Sequence, residues 1–150
     1  MFNHLIYLNI AREISKLSKC VSIQVGCILV KEGRILSIGY NGTPPNYINC
    51  DEMFPEYDQQ RDRELHHQWS LIHELHAEMN AILWAAKNGI SIEGATLYCT
   101  HQPCDQCTKN ILALGITNIY YKDEYDKVQN NIEIQKFIKD MNVNITQVKE

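Results

Sequence analysis

Between residues 96 and 121 the chain reads TLYCTHQPCDQCTKNILALGITNIYY, and this stretch decides the fold. Residues 96–100 are rich in β-branched and aromatic side chains and read as a strand. Pro103 suits the first turn of a helix, which runs to about Leu114 and stops at Gly115. Residues 116–121 form a second apolar run and a second strand. Strand, helix and strand in so short a space predict a parallel pair joined by a crossover. Working outward, residues 76–87 make a helix with Asn88-Gly89 as its stop. Residues 25–30 and 34–40 make a hairpin about Lys31-Glu32-Gly33, closed off by Asn41-Gly-Thr-Pro-Pro45. Residues 5–17 carry apolar side chains at helical spacing. A helix over 132–141 and a short strand over 143–148 complete the chain. Residues 46–70 read as a polar, irregular loop, long enough to be functional. The order α-β-β-α-β-α-β-α-β predicts one α/β domain over 1–150, with a five-stranded mixed sheet and helices on both faces.

The bulk properties narrow the function. The chain has 150 residues, 45% apolar and 21% charged, as in a globular protein with a sizeable core. Its formal net charge of -4 offers no general basic field for a long nucleic acid, which favours a small substrate. No apolar run approaches a membrane span, and His4, Asn9 and Arg12 interrupt residues 1–12 as a secretory leader, so a cytoplasmic location is expected. Six cysteines, at 20, 27, 50, 99, 104 and 107, then point to metal or redox chemistry more than to disulfides.

Two short segments carry that chemistry: His76-Ala-Glu78 and Pro103-Cys-Asp-Gln-Cys107. Both fall at predicted helix starts, where the positive end of the helix favours thiolates. Cys104 and Cys107, one turn apart, can share a metal ion with His76. Three protein ligands leave a fourth position open, the layout of a catalytic zinc that activates water. Glu78 lies close to the ion without having to bind it and is placed to move protons. His-x-Glu followed by Pro-Cys-x-x-Cys is the signature of zinc deaminases acting on nucleobases. Other readings stand beside this one. A redox dithiol would use the Cys-x-x-Cys pair but gives no role to His76 or Glu78. A closed structural zinc would need a fourth ligand, which His101 or Cys99 could supply.

With these residues the chain resembles the cytidine deaminase superfamily, and within it the deoxycytidylate deaminases of the T-even phage type. The likeness includes Ser18-Lys-Cys20, Val25-Gly26, Gly39-Tyr-Asn-Gly42, Asn49-Cys50, the run from Ile72 to Glu78, Asn80-Ala-Ile82, residues 91–96 and Tyr125-Asp-Lys127. It implies a three-layer α-β-α cytidine deaminase-like fold and zinc-dependent conversion of dCMP to dUMP, which feeds thymidylate synthesis. His76, Cys104 and Cys107 match the catalytic zinc ligands, and Glu78 the proton shuttle. Asn41 matches a position near the nucleotide, and Tyr125 a tyrosine that closes over it. Ser22 and Gln24 lie where relatives hold the phosphate. Gln24 departs from their basic residue, and Lys19 or an arginine of residues 61–63 could compensate. Cys20, Cys50, His66 and Glu74 match a second, structural zinc site, with His67 and His73 as competitors. Cys27 and Cys99 read most simply as buried small apolar residues.

The resemblance also implies a homo-oligomer, a hexamer in many members, regulated by dCTP and dTTP. Tyr40, Gly42 and Lys87 are the candidate regulatory positions. A segment before the His-Ala-Glu helix and the C-terminus are both shorter here than in the phage form, which bears on that regulation. A viral source would put the enzyme in the host cytoplasm. Competing functions are deamination of a nucleoside or of another base, and a zinc-stapled nucleotide-binding module without turnover.

Overall fold

The computed structural model describes residues 3–149. Met1 and Phe2, part of the 1–12 stretch read for a leader, lie outside the described residues, as does Glu150. The first helix, α1 (His4–Ser15), leads into the hairpin β1 (Gly26–Lys31) and β2 (Arg34–Tyr40). The central helix is α4 (Ala77–Lys87), followed by β3 (Thr96–His101), α5 (Asp105–Ala113) and β4 (Asn118–Asp123). A short α6 (Asp126–Gln129), α7 (Ile132–Asp140) and β5 (Asn144–Gln147) end the chain. The five strands lie in the order β2-β1-β3-β4-β5. β1 runs antiparallel to both its neighbours, while β3, β4 and β5 are parallel.

The hairpin turns on Glu32 and Gly33, both in the left-handed region (φ 53° and 74°), as a two-residue turn between right-twisted strands requires. β1 is apolar from Gly26 to Val30 because it is covered on both sides there. Cys27 and Leu29 join Leu97 and Cys99 in the core beneath α4 and α5. Ile28, Val30 and Tyr98 face Leu8 and Ala11 of α1. This period-2 division gives the three layers that the chain order predicts.

α4 sits unusually close to β2, and the reason is Gly39. A Cβ built there would stand 2.2 Å from the Ala77 carbonyl oxygen and 2.5 Å from the Ala81 nitrogen. The first turn of α4 holds Glu78 and follows His76, so this contact sets the height of both above the sheet. Gly39→Ala is expected to lower the melting temperature by on the order of 5–10 °C, from an overpacking cost of roughly 1–3 kcal/mol. A thermal melt checks it, and an unchanged midpoint would show that α4 moves away freely.

Residues 46–70 are not a loop, contrary to the sequence reading. They hold α2 (Cys50–Met53) and most of a 15-residue helix, α3 (Gln59–His73). Asp58 caps α3, its carboxylate accepting from the backbone nitrogens of Gln60 and Arg61 at 3.0 and 2.9 Å. Periodicity missed the helix because its inward residue, His66, is polar while Leu65, Leu71 and Ile72 are exposed. Among the described residues no helix is long and apolar enough to cross a membrane.

Candidate active site and a second donor cluster

His76 is the residue that caps α4, and Cys104 the residue that caps α5. The two helix starts meet over the end of β3, bringing together residues 28 apart in sequence. The Nδ1 of His76 lies 3.5 Å from the Cys104 sulfur and 3.4 Å from the Cys107 sulfur. Ligands at ordinary zinc distances and tetrahedral angles stand about 3.5 Å apart for sulfur and nitrogen, so the spacing fits that ion. The backbone nitrogen of Cys107 also donates to the Cys104 sulfur at 3.4 Å, which favours a thiolate there. The Cys104 thiol is held down to about 4, chiefly by the hydrogen bond from Cys107 and then by His76. Cys107 is pushed up by sharing that proton and by burial. Among the described residues this set has three donors, and neither His101 nor Cys99 joins it as a fourth.

Glu78, in the first turn of α4, is buried, with 4% of its surface exposed. Burial is the main cause that raises its carboxyl above the ordinary range. The Cys99 thiol donates to its Oε1 at 3.4 Å. The arrangement therefore pairs an open three-donor metal set with a buried carboxylic acid outside that set, which is suited to hydrolytic proton transfer.

The other expected residues divide. Asn41 is buried, but both ends of its amide are already engaged with the segment before β1. Its Oδ1 accepts from the Val25 nitrogen and its Nδ2 donates to the Ile23 carbonyl, each at 2.8 Å. It thus fastens the segment that carries Ser22 and Gln24, both exposed. The Gln24 amide donates to the Ser18 carbonyl at 2.8 Å. Tyr125, exposed at the start of α6, donates its backbone N–H to Oε1 of Gln102 at 3.1 Å. Gln102 is buried and precedes the turn that carries Cys104 and Cys107, so it joins that turn to the tyrosine. Sequence reasoning missed Gln102, since a lone glutamine after a strand gives no signal.

Arg61, offered as a compensating cation, lies inside α3 and is occupied by Asp62 and the Glu56 carbonyl. A different set of cations stands near Gln24. A cavity of about 190 Å³ between α1 and the ends of β3 and β4 is lined by Arg12, Gln24, Thr100, His101 and Lys122, with Asp123 as its acid. His101 pairs with Asp123 at 3.6 Å, yet burial holds its pKa below the usual value, leaving Arg12 and Lys122 as the main positive groups. His101 precedes Cys104 by three residues, a reach of about 10 Å at most. A larger depression, about 540 Å³, lies around Ile90, Glu93 and Gly115 near the far ends of α4 and α5, away from all of these groups.

Gly42 pairs with Leu75 through two backbone hydrogen bonds of 3.1 and 2.8 Å, tying the Gly-Tyr-Asn-Gly turn to the entry of α4. The Tyr40 nitrogen donates to the Asn80 side chain at 3.2 Å. Lys87 is not with them: it ends α4, roughly 15 Å along the helix from His76.

A second cluster gathers Cys20, Cys50, His66 and Glu74. His66 Nε2 stands 3.7 Å from the Cys20 sulfur, 3.2 Å from the Cys50 sulfur and 3.5 Å from Oε1 of Glu74. Oε2 of Glu74 is buried without a hydrogen-bond partner, which is costly in a purely protein setting and is relieved by a cation. The Cys20 thiol is lowered to about 5, first by the hydrogen bond from Cys50, whose own pKa rises. The donor set fits zinc. His67 is exposed, and His73 stacks on Trp69 and Tyr47, so neither belongs to the cluster.

Comparison with known proteins follows the same lines. The profile of the cytidine and deoxycytidylate deaminase zinc-binding region matches residues 1–123. Deoxycytidylate deaminase of Enterobacteria phage T2 is 40% identical over 149 residues, covering 80% of this chain and 79% of the relative. The phage T4 protein of the same name is 39% identical, with 80% and 77% covered. The crystal structure of dCMP deaminase from the cyanophage S-TIM5, in complex with dCMP and dUMP, superposes with a TM-score of 0.76 at 32% identity, covering 99% of each chain.

Proposed function

Because this chain belongs to the cytidine and deoxycytidylate deaminase family, we infer that it hydrolyses dCMP to dUMP with release of ammonia. The observation that carries the reading is Glu78, a buried carboxylic acid set beside a three-donor His/Cys/Cys cluster and not within it. Zinc held by His76, Cys104 and Cys107 would supply Lewis acidity to activate water at neutral pH. Glu78 takes one proton from the attacking water and delivers it to ring N3, then takes the second from the new hydroxyl on C4 and passes it to the amino group, which departs as ammonia while the C4 carbonyl forms. Burial raises the carboxyl pKa, which favours the protonated form that donates to the ring. The dUMP formed is the precursor of thymidylate.

The nucleotide lies over the end of β3. Asn41 steadies the segment bearing Ser22 and Gln24, and has one amide hydrogen left for a sugar hydroxyl. Tyr125, fixed through Gln102, closes the other side. The phosphate extends toward the cavity of Arg12, Gln24 and Lys122, which supplies the charge that Gln24 lacks.

The second cluster holds a structural zinc, making two ions in one deaminase domain. Tyr40, Gly42 and Lys87 contribute to a homo-oligomer, a hexamer on the family pattern, that responds to dCTP and dTTP. Lys87 reaches a site near Gly42 only from a neighbouring subunit. The reaction belongs to the cytoplasm, that of a host if the chain is viral.

An equal mixture of dCMP, CMP and deoxycytidine, incubated with the zinc-loaded protein and followed by NMR, tests the reading. Selective loss of dCMP is expected. In Arg12→Ala the KM for dCMP should rise about tenfold, the worth of one charge-assisted hydrogen bond, with deoxycytidine little affected. Equal consumption of deoxycytidine would overturn the phosphate assignment. Binding of dCMP without turnover would identify a nucleotide-binding module.

A further inference from the structure

Cys99 and Cys27 belong to neither donor cluster, yet they lie directly beneath the first. They face each other across β1 and β3 in register. Both are completely buried. The Cys99 sulfur is 3.4 Å from Oε1 of Glu78 and donates to it.

A side chain that must meet water, a ring nitrogen and a departing amine in turn needs placement. Glu78 has three rotatable bonds, and within its own helix its carboxylate meets only its own backbone nitrogen, with the Cys107 and Cys99 thiols as its other neighbours. A rigid donor from the sheet below can select one carboxylate orientation without blocking it. A thiol suits this position, since its hydrogen bond is weaker than that of a hydroxyl and is easily stretched as the carboxylate changes charge. Cys99 also remains a donor: burial raises its pKa well above the ordinary thiol value, so it stays S–H and does not compete for metal as a thiolate.

We propose that Cys99 is a positioning residue, whose thiol holds Oε1 of Glu78 and leaves Oε2 to carry protons during deamination. This rests on the reading of Glu78 as the proton carrier. It goes further in naming which oxygen is tethered and by what. Cys27, its register neighbour, is buried beside it.

The test uses Cys99→Ala, Cys99→Val and Cys99→Ser in the zinc-loaded protein. Ala and Val should lower kcat about three- to tenfold, the range of one modest hydrogen bond. The KM for dCMP and the zinc content should stay constant. Ser, which restores a donor, should return kcat to within about twofold of the parent. Parental kcat in both Ala and Val would overturn the proposal. So would a Ser variant as impaired as Ala, because that pattern marks packing alone. The infrared S–H stretch reports the contact without reference to turnover. One S–H band should shift to higher wavenumber in Glu78→Ala and disappear in Cys99→Ser. A band indifferent to Glu78→Ala would mean that the hydrogen bond does not exist. If instead Glu78→Gln keeps its activity while the band still responds, the proton-carrier reading fails and the contact survives.

Discussion

Glu78→Gln lowers kcat by about 10²–10⁴-fold while metal content and affinity for dCMP stay near those of the parent protein. The amide has the shape of the carboxyl and can still accept the Cys99 thiol, so packing in this buried position is preserved. It cannot shuttle protons. Nothing among the neighbouring groups replaces that function: His76, Cys104 and Cys107 are engaged in one donor set, and burial raises the Cys99 thiol well above its ordinary pKa. The effect should therefore fall on kcat and leave KM alone, which is the signature of an interaction made in the transition state. Steady-state kinetics alongside elemental analysis of bound zinc make the measurement. Turnover within tenfold of the parent would sink the mechanism. Loss of zinc together with activity would show that Glu78 supports the metal site instead.

The second large effect is expected on stability. Cys50→Ser should remove one equivalent of bound metal and lower stability by about 3–5 kcal/mol, because buried His66 and the half-buried Cys20 and Glu74 are then left with an incomplete set of partners. For a chain of this size that corresponds to a fall in melting temperature on the order of 10 °C. The damage should be local at first. α3 packs a buried histidine inward, not an apolar stripe, so its attachment depends on the cluster and on Phe54, whose ring meets His66 and Trp69 edge-on. Limited proteolysis should cut between residues 46 and 74 in the variant before it cuts elsewhere. A variant that keeps its full metal content and its melting point would remove the structural role from this cluster.

What the sequence disclosed follows from how local each signal is. The hairpin, the crossover and the His-x-Glu and Cys-x-x-Cys pairs are legible because strand alternation, turn chemistry and ligand spacing all act over a few residues. α3 was hidden because the rule for finding helices looks for an apolar face, and this helix turns His66 inward and leaves Leu65 and Ile72 exposed. Its cap, Asp58, was the remaining local clue. Arg12, Gln24, His101 and Lys122 lie on four separate parts of the chain and share a cavity only after the sheet has formed. Asn41 was legible as important, but its amide turns toward the backbone at Ile23 and Val25, a choice fixed by tertiary contacts. Cys99 was read as a small apolar residue from its place in a strand. It is buried as expected, and only the fold reveals that Glu78 lies against it.

Glu74 and His76 are separated by Leu75 alone, in extended chain that Gly42 grips from the side. Side chains two apart in extended chain point the same way, so one taut segment delivers a donor to each cluster. Whatever disturbs Glu74 therefore reaches His76 through a single residue of backbone, so the two donor clusters share one mechanical support and a substitution in either is felt at the other.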